Sequence, residues 1–161
     1  MVFLVGVTSL EVYKLFAGKS LIMDKNKLQL QVITPNKTIM TDTVDSISVM
    51  SATGQLTILP KHANLFTPIV EGELKIIKDS QESFFATGRG LLEVTAKGVS
   101  LILEDAFHSD EINEQMVAQA KEAAEKILKE KPQGTDINEA RSVFRRSLIE
   151  LKVAKKRRRP L

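Results

Sequence analysis

Gly54-Gln55-Leu56-Thr57-Ile58-Leu59-Pro60-Lys61-His62-Ala63 is the stretch from which the fold can be read. Alternation places Leu56 and Ile58 on one face of a short strand and Thr57 on the other. Pro60 has no N–H to give to a ladder, so the strand ends there or lies at an edge. His62 then sits beside a proline corner. It reads first as a residue that hydrogen-bonds and shapes that corner, and second as part of a protein contact.

The same period of two extends on both sides, from Leu28 to Leu103. Leu28, Leu30 and Val32 alternate before Pro35-Asn36, and Ile47 and Val49 alternate before the turn ending at Gly54. Leu74 and Ile76 follow Glu71-Gly72, Leu92 and Val94 follow Gly88 and Gly90, and Val99, Leu101 and Leu103 follow Gly98. Short strands with turns every 8 to 12 positions are the spacing of a sandwich or barrel. No run of ten or more residues here has helical spacing, so crossover helices and a parallel sheet are not expected.

After His108 the period becomes helical. Ser109 or Asp110 is expected to cap a helix whose apolar stripe is Ile112, Met116, Ala120, Ala123 and Ile127. Lys131-Pro132-Gln133-Gly134 stops it. A second helix opens with Asp136 and Glu139 spaced as a capping box and carries Ile137, Ala140, Phe144, Leu148 and Leu151 on one face. Two such helices with a short connection predict an antiparallel hairpin. Its alanine-rich stripe buries little area, so the hairpin should dock on the sandwich or on a partner.

The expected fold is therefore mainly β plus α, an N-terminal antiparallel β-sandwich followed by a C-terminal two-helix antiparallel hairpin. The expected divisions are an extension at 1–22, a sandwich at 23–108, and a hairpin with a basic tail at 109–161. Residues 1–22 lack the basic start and small-residue site of a secretory signal. They also lack the arginines of a mitochondrial presequence and contain Glu11. Met23 opens the part that reads as a domain.

Composition removes several functions. The 161 residues are 43% hydrophobic and 27% charged, as in a globular protein. No cysteine is present, which excludes disulfides, thiolate metal sites and a cysteine nucleophile. His62 and His108, 46 positions apart, have no ligand spacing between them, and no phosphate loop or nucleophile elbow occurs. Glu104-Asp105 is an adjacent pair whose members face opposite ways on a strand, and Gly88-Arg89-Gly90 reads as a hairpin turn rather than a phosphate cradle. We therefore expect no catalytic residues, no cofactor and no metal. No apolar run reaches the roughly 20 residues that cross a bilayer.

Charge is concentrated late in the chain. Residues 1–108 carry ten Lys/Arg against eleven Asp/Glu, and 109–161 carry thirteen against nine. Lys152, Lys155, Lys156, Arg157, Arg158 and Arg159 follow Leu151 with no acid among them. Such a tail is either a solvated helix end or a segment that docks on an acidic surface. No aromatic residue is interleaved with it, so nucleic acid is not an expected partner.

The stretch from Gly54 to Ala63 also closely resembles a segment of the epsilon subunits of F-type ATP synthases. Thr34-Pro35-Asn36, Leu65 through Pro68, Gly72-Glu73-Leu74-Lys75-Ile76, Gly90-Leu91-Leu92-Glu93-Val94 and Ala106 extend the resemblance. It implies a non-catalytic central-stalk subunit. The sandwich would join gamma to the c ring, and the hairpin would restrain ATP hydrolysis by contacting the alpha and beta subunits of the catalytic head. The resemblance also implies a c-ring-facing loop at Gln55, Leu56, Pro60 and His62, where Gln55 replaces a common acid. It assigns Arg141, Arg145, Arg146, Lys152 and Lys155 to the hairpin's contact with the catalytic subunits. The implied location is peripheral, on the cytoplasmic side of a bacterial plasma membrane, with membrane contact only through the complex. Some relatives bind ATP in the hairpin through an I/L-D-x-x-R-A motif. Ile112-Asn113-Glu114-Gln115-Met116-Val117 and Ile137-Asn138-Glu139-Ala140-Arg141-Ser142 depart from it, so weak or absent nucleotide binding is expected. The alternative reading is a sandwich module whose basic helical arm binds acidic surfaces such as nucleic acid or anionic membrane.

Overall fold

In the computed structural model, which describes residues 26–130 and 135–156, the inward positions of the alternating runs are occupied by buried aliphatic side chains, with Leu56 alone among them partly buried. Leu30, Ile47, Ile58, Leu74, Leu92, Leu101 and Leu103 are 0–2% exposed. Each such burial contributes about 1.5–3 kcal/mol. The strands are β1 (Leu28–Ile33), β2 (Thr38–Val44), β3 (Ser46–Ser51), β4 (Gly54–Ile58), β5 (Leu65–Ile69), β6 (Gly72–Lys78), β7 (Gln81–Thr87), β8 (Gly90–Thr95), β9 (Gly98–Leu103) and β10 (Ala106–His108).

Their order is β10-β7-β6-β3-β5-β8-β9-β1-β2, with β4 paired to β3. The sheet folds on itself where β3 changes partner. Ser46, Ile47 and Ser48 pair with β6, but Ser51 pairs with Ile69 of β5, and the Val70 N–H donates to the Met50 carbonyl. Between Ile69 and Gly72 the chain therefore passes from one layer to the other. Gly72 serves that corner, because a Cβ there would lie 2.7 Å from Met50 Cβ.

One pairing departs from the expected antiparallel plan. β1 runs parallel to β9, with Leu30, Gln31, Val32 and Ile33 opposite Val99, Ser100, Leu101 and Ile102. The link between them is the rest of the sandwich rather than a crossover helix, so local periodicity carries no sign of it. β5 was also hidden, because it contains Pro68. A proline fits there since β5 is fully paired only by β8, and its other side meets β3 at Ser51 alone.

Two helices follow, α1 (Glu114–Lys129) and α2 (Thr135–Lys156), packed against each other as a hairpin. The cap of α1 is Asn113, whose side chain accepts from the Gln115 and Met116 N–H groups. This corrects the expectation of Ser109 or Asp110. Ser109 is 5% exposed and its N–H donates to the Phe84 carbonyl, extending the β10–β7 pairing past His108. The Asp110 N–H donates to His108 Nδ1 at 3.3 Å.

The phase of α1 is corrected as well. Met116 is 66% exposed, Ile127 is 40% exposed, and Ala120 and Ala123 are also exposed, whereas Ala124 is buried and Val117 is half-buried. The inward line is Val117, Lys121, Ala124 and Leu128, one residue or about 100° away from the expected stripe. Ile112 is buried, but it precedes the helix and so could not set its phase. In α2, Ala140 is buried and Ile137, Phe144 and Leu151 are half-buried as expected, while Leu148 is 44% exposed.

The hairpin docks through a second, smaller apolar cluster. Ile112, Ala86, Val153 and Ala154 are its buried members, with Phe84, Val117 and Ile149 against them. Residues 1–22, the stop at Lys131-Pro132-Gln133-Gly134, the side chain of Asp136, and Arg157, Arg158 and Arg159 lie outside the described residues.

Candidate interaction surfaces

Strand geometry separates the four residues assigned to one loop. Gln55 stands at the β3–β4 turn, where Gly54 has φ 120° and its carbonyl accepts from Ser51 Oγ at 2.8 Å. Pro60 and His62 stand beyond the other end of β4, whose last residue, Ile58, is about 10 Å along the strand from Gln55. Gln55 is exposed, Leu56 packs partly against the core, and Pro60 and His62 are half-buried. Leu59, between the strand and the corner, is 56% exposed.

His62 is tied to its corner. Its backbone N–H donates to the Leu59 carbonyl at 3.1 Å, across Lys61 at φ 67°. Its Nδ1 lies 2.8 Å from the Ala63 carbonyl, which can only accept, so Nδ1 is the donor of that bond. Among the described residues, no group of three or more His, Cys, Asp or Glu is arranged to hold a metal ion.

A second surface was not anticipated. On the outer face of β5, β8, β9 and β1, register places Pro68 opposite Leu91, Leu91 opposite Ile102, and Ile102 opposite Ile33. Phe66 stands one outward position away from Pro68 and is 68% exposed, with Leu91 39% and Ile102 48% exposed. This is a contiguous apolar patch on a rigid sheet, the kind of surface that marks a protein contact. Its signal in the sequence is Leu101-Ile102-Leu103, where an isoleucine occupies the outward position between two inward leucines.

The third surface is the seam between α2 and the sandwich. Arg145 Nε lies 3.6 Å from Glu71 Oε2, and Arg146 Nη1 lies 3.0 Å from Asp105 Oδ2. Lys152 Nζ is 3.8 Å from Glu73 Oε2, and Lys156 Nζ is 2.6 Å from Glu73 Oε1. Arg146 also packs 5.1 Å from the Phe107 ring centroid and Lys156 4.5 Å from that of Phe84. Burial disfavours the Arg146 charge. The Glu150 hydrogen bond and the fields of Asp105, Glu150 and Glu71 outweigh that cost and hold the guanidinium above its ordinary pKa. Arg141 and Lys155 are exposed.

Glu104-Asp105 and Gly88-Arg89-Gly90 meet at this seam in structural roles. The Gly88 N–H donates to the Asp105 carbonyl and the Glu104 N–H to the Arg89 carbonyl, so the expected hairpin turn is corrected: Gly88-Arg89-Gly90 links β7 to β8, two strands that do not pair with each other, and runs beside the link from β9 to β10. Arg89 Nε lies 3.7 Å from Glu104 and 3.9 Å from Glu71. The carboxylates are thus partners of guanidinium groups, not a pair facing each other.

The family model described as "ATP synthase, Delta/Epsilon chain, beta-sandwich domain" matches residues 27–109. The ATP synthase epsilon chain of Herpetosiphon aurantiacus is 32% identical over 131 residues, which cover 81% of this chain and 96% of that one. The epsilon chain of Caldanaerobacter subterraneus subsp. tengcongensis is 37% identical over 136 residues, covering 83% and 97%. A chain in the OSCP/F1/c-ring structure of Euglena gracilis mitochondrial ATP synthase superposes with TM-score 0.62 at 17% identity, covering 81% of this chain and 78% of that one. At that identity the superposition speaks for the fold.

Proposed function

Because the chain belongs to the ATP synthase epsilon chain family, we propose that it is a non-catalytic rotor subunit whose sandwich joins the gamma subunit to the c ring. The observation that carries this reading is the patch formed by Phe66, Leu91 and Ile102. An apolar surface on a paired sheet face, with Glu93 beside Phe66 at its margin, suits permanent association, since covering it removes apolar area from water without conformational cost. We assign that face to gamma. The ends of β4, with Gln55 on one side and Pro60 and His62 on the other, are the proposed contact with the c ring. Both are shaped by backbone hydrogen bonds and suit a mechanical contact better than a chemical one.

In the same reading, chemistry belongs to the alpha and beta subunits, and the hairpin restrains hydrolysis by offering Arg141, Arg145, Arg146, Lys152 and Lys155 to acidic residues there. Membrane association is through the complex. No helix among the described residues is long and apolar enough to cross a bilayer. The alternative, a basic arm for nucleic acid or anionic lipid, has less support because four cations of α2 face acids of the sandwich.

Co-expression with gamma tests the assignment. The unaltered chain should co-purify with gamma, and Phe66→Ser combined with Ile102→Ser should abolish this while leaving the circular dichroism spectrum unchanged. Undiminished co-purification of the double variant would remove gamma from that face.

A further inference from the structure

Three segments of the sandwich meet around a cavity of about 260 Å³: the residue before β1, the β4–β5 corner and the β8–β9 turn. Its lining includes Lys27, Lys61, His62 and Lys97 and, among the described residues, no Asp or Glu. The three lysines are not equivalent. Lys27 Nζ lies 2.5 Å from Asp79 Oδ1 and 3.4 Å from Asp45 Oδ1, so its charge is neutralised within the chain. Lys61 and Lys97 are exposed and form no ion pair among the described residues, whereas Lys75 and Lys78 of the same sandwich face Glu82 and Asp42.

The backbone under both cations is fixed. Gly98 has φ 150°, and a Cβ there would sit 2.6 Å from the Gln29 carbonyl oxygen, so the β8–β9 turn lies directly against β1. Thr95 Oγ1 accepts from the Lys97 N–H at 3.2 Å and donates to the Gly98 carbonyl at 3.3 Å, which closes the turn on itself. On the other side of the cavity, Lys61 has φ 67° and is held there by the two hydrogen bonds of His62. A glycine would adopt that conformation without strain, and the chain places an amine there instead.

We propose that this cavity binds the phosphate group of a polyol phosphate ester, with Lys61 and Lys97 as its two cations. Lysine ammonium groups bind phosphate as point charges. The lining has no arginine and no Phe, Tyr or Trp, so it offers neither a guanidinium fork for a carboxylate nor a broad stacking face for a nucleobase. The ester group has a place as well. A second depression, of about 680 Å³, lies across the β8–β9 turn and shares Gln29, Thr95 and Lys97 with the first. Gln31, Thr41 and Asn64 add neutral hydrogen-bonding groups there, which suit hydroxyls. Glu93 is the acid of that depression; it repels a second anionic group and so favours a substituent that carries hydroxyls alone. Glycerol phosphate is a small ligand of this class, and its chemistry occurs free in solution or in the headgroup of phosphatidylglycerol. The inference does not depend on the rotor reading.

Sodium glycerol phosphate and phosphatidylglycerol vesicles distinguish the two sources. Titrated into the isotope-labelled full chain, glycerol phosphate should move the amide resonances of Lys61, Lys97 and Gly98 saturably, beyond what sodium chloride does at equal ionic strength. Lys61→Gln combined with Lys97→Gln, both at exposed positions, should weaken this binding about tenfold or more while the rest of the spectrum stays in place. If the free ester moves nothing, but the chain sediments with phosphatidylglycerol vesicles and not with phosphatidylcholine vesicles, and the double variant loses this, the cavity takes a lipid headgroup. Vesicle binding that survives the double substitution belongs to the basic tail. That result, together with amide shifts no larger than sodium chloride gives, overturns the proposal. So does a glycerol phosphate affinity left unchanged in the double variant.

Discussion

Lys156 Nζ lies 2.6 Å from Glu73 Oε1 and 4.5 Å from the centroid of the Phe84 ring, so one ammonium group joins the end of α2 to both β6 and β7. Val153 and Ala154, at 0% exposure, lie just before it. The hairpin is therefore held at the end of α2, by a cluster separate from the main core.

That separation predicts two different responses to truncation. Leu74→Ala, in the main core, should destabilise the sandwich by about 2–5 kcal/mol and lower its denaturant midpoint. Val153→Ala should instead loosen docking, with hydrogen exchange rising at Phe84, Ala86 and Ser109 while the sandwich midpoint moves little. A common loss of both units in Val153→Ala would show that they unfold together.

Gly90 admits no side chain. A Cβ there would sit 2.0 Å from the Ile102 carbonyl oxygen and 2.9 Å from Leu103 Cα, both backbone atoms of the adjacent strand. Gly90→Ala should cost more than about 3 kcal/mol. Gly72→Ala should also be destabilising but cost less, because Met50 Cγ at 2.6 Å can turn away, whereas Met50 Cβ at 2.7 Å moves only with its own backbone. Chemical denaturation of the two variants gives the comparison directly.

The β6–β7 turn carries avoidable strain. Asp79 and Ser80 have φ of 50° and 66°, the left-handed pair of a type I′ hairpin, where Asp-Gly is favoured. Ser80→Gly should raise stability by about 0.5–1 kcal/mol, read as an increased thermal midpoint.

The same turn has a pH dependence. The hydrogen bond from Lys27, then its charge, lowers the Asp79 pKa, so the aspartate binds its proton less readily folded than unfolded. Its stabilising contribution is complete above the ordinary aspartate value of about 3.9 and is lost as pH falls through the lower folded value. Both partners are at the surface, so the effect is small and salt-sensitive. In thermal melts, the unaltered chain and Asp79→Asn should differ at neutral pH and converge in strong acid. A difference that grows toward low pH would contradict the ion pair's role.

The inward positions from Leu28 to Leu103 were legible because a strand buries alternate residues whichever strand it pairs with. The β1–β9 parallel pair was not, since pairing partners depend on how distant segments meet. The helices show the same division. Their existence follows from local spacing, but the phase of α1 does not, because Met116-Ala120-Ala123-Ile127 and Val117-Ala124-Leu128 are both apolar lines. Tertiary packing chose the second, since Val117 lies against Ala86 of the sandwich, Ile112 of the link before α1 and Val153 of α2.

By itself, then, the sequence determined the alternation, the hairpin and the family. These depend on near neighbours and on the residue pattern around Gly54 to Ala63. Tertiary structure decided which apolar residues stay exposed as Phe66, Leu91 and Ile102, and which acids receive the cations of α2. Glu73 and Lys156 are 83 positions apart, and no local rule relates them. Only the folding of β6 and β7 beneath α2 brings their charges within reach, where the short distance and partial burial make the attraction count.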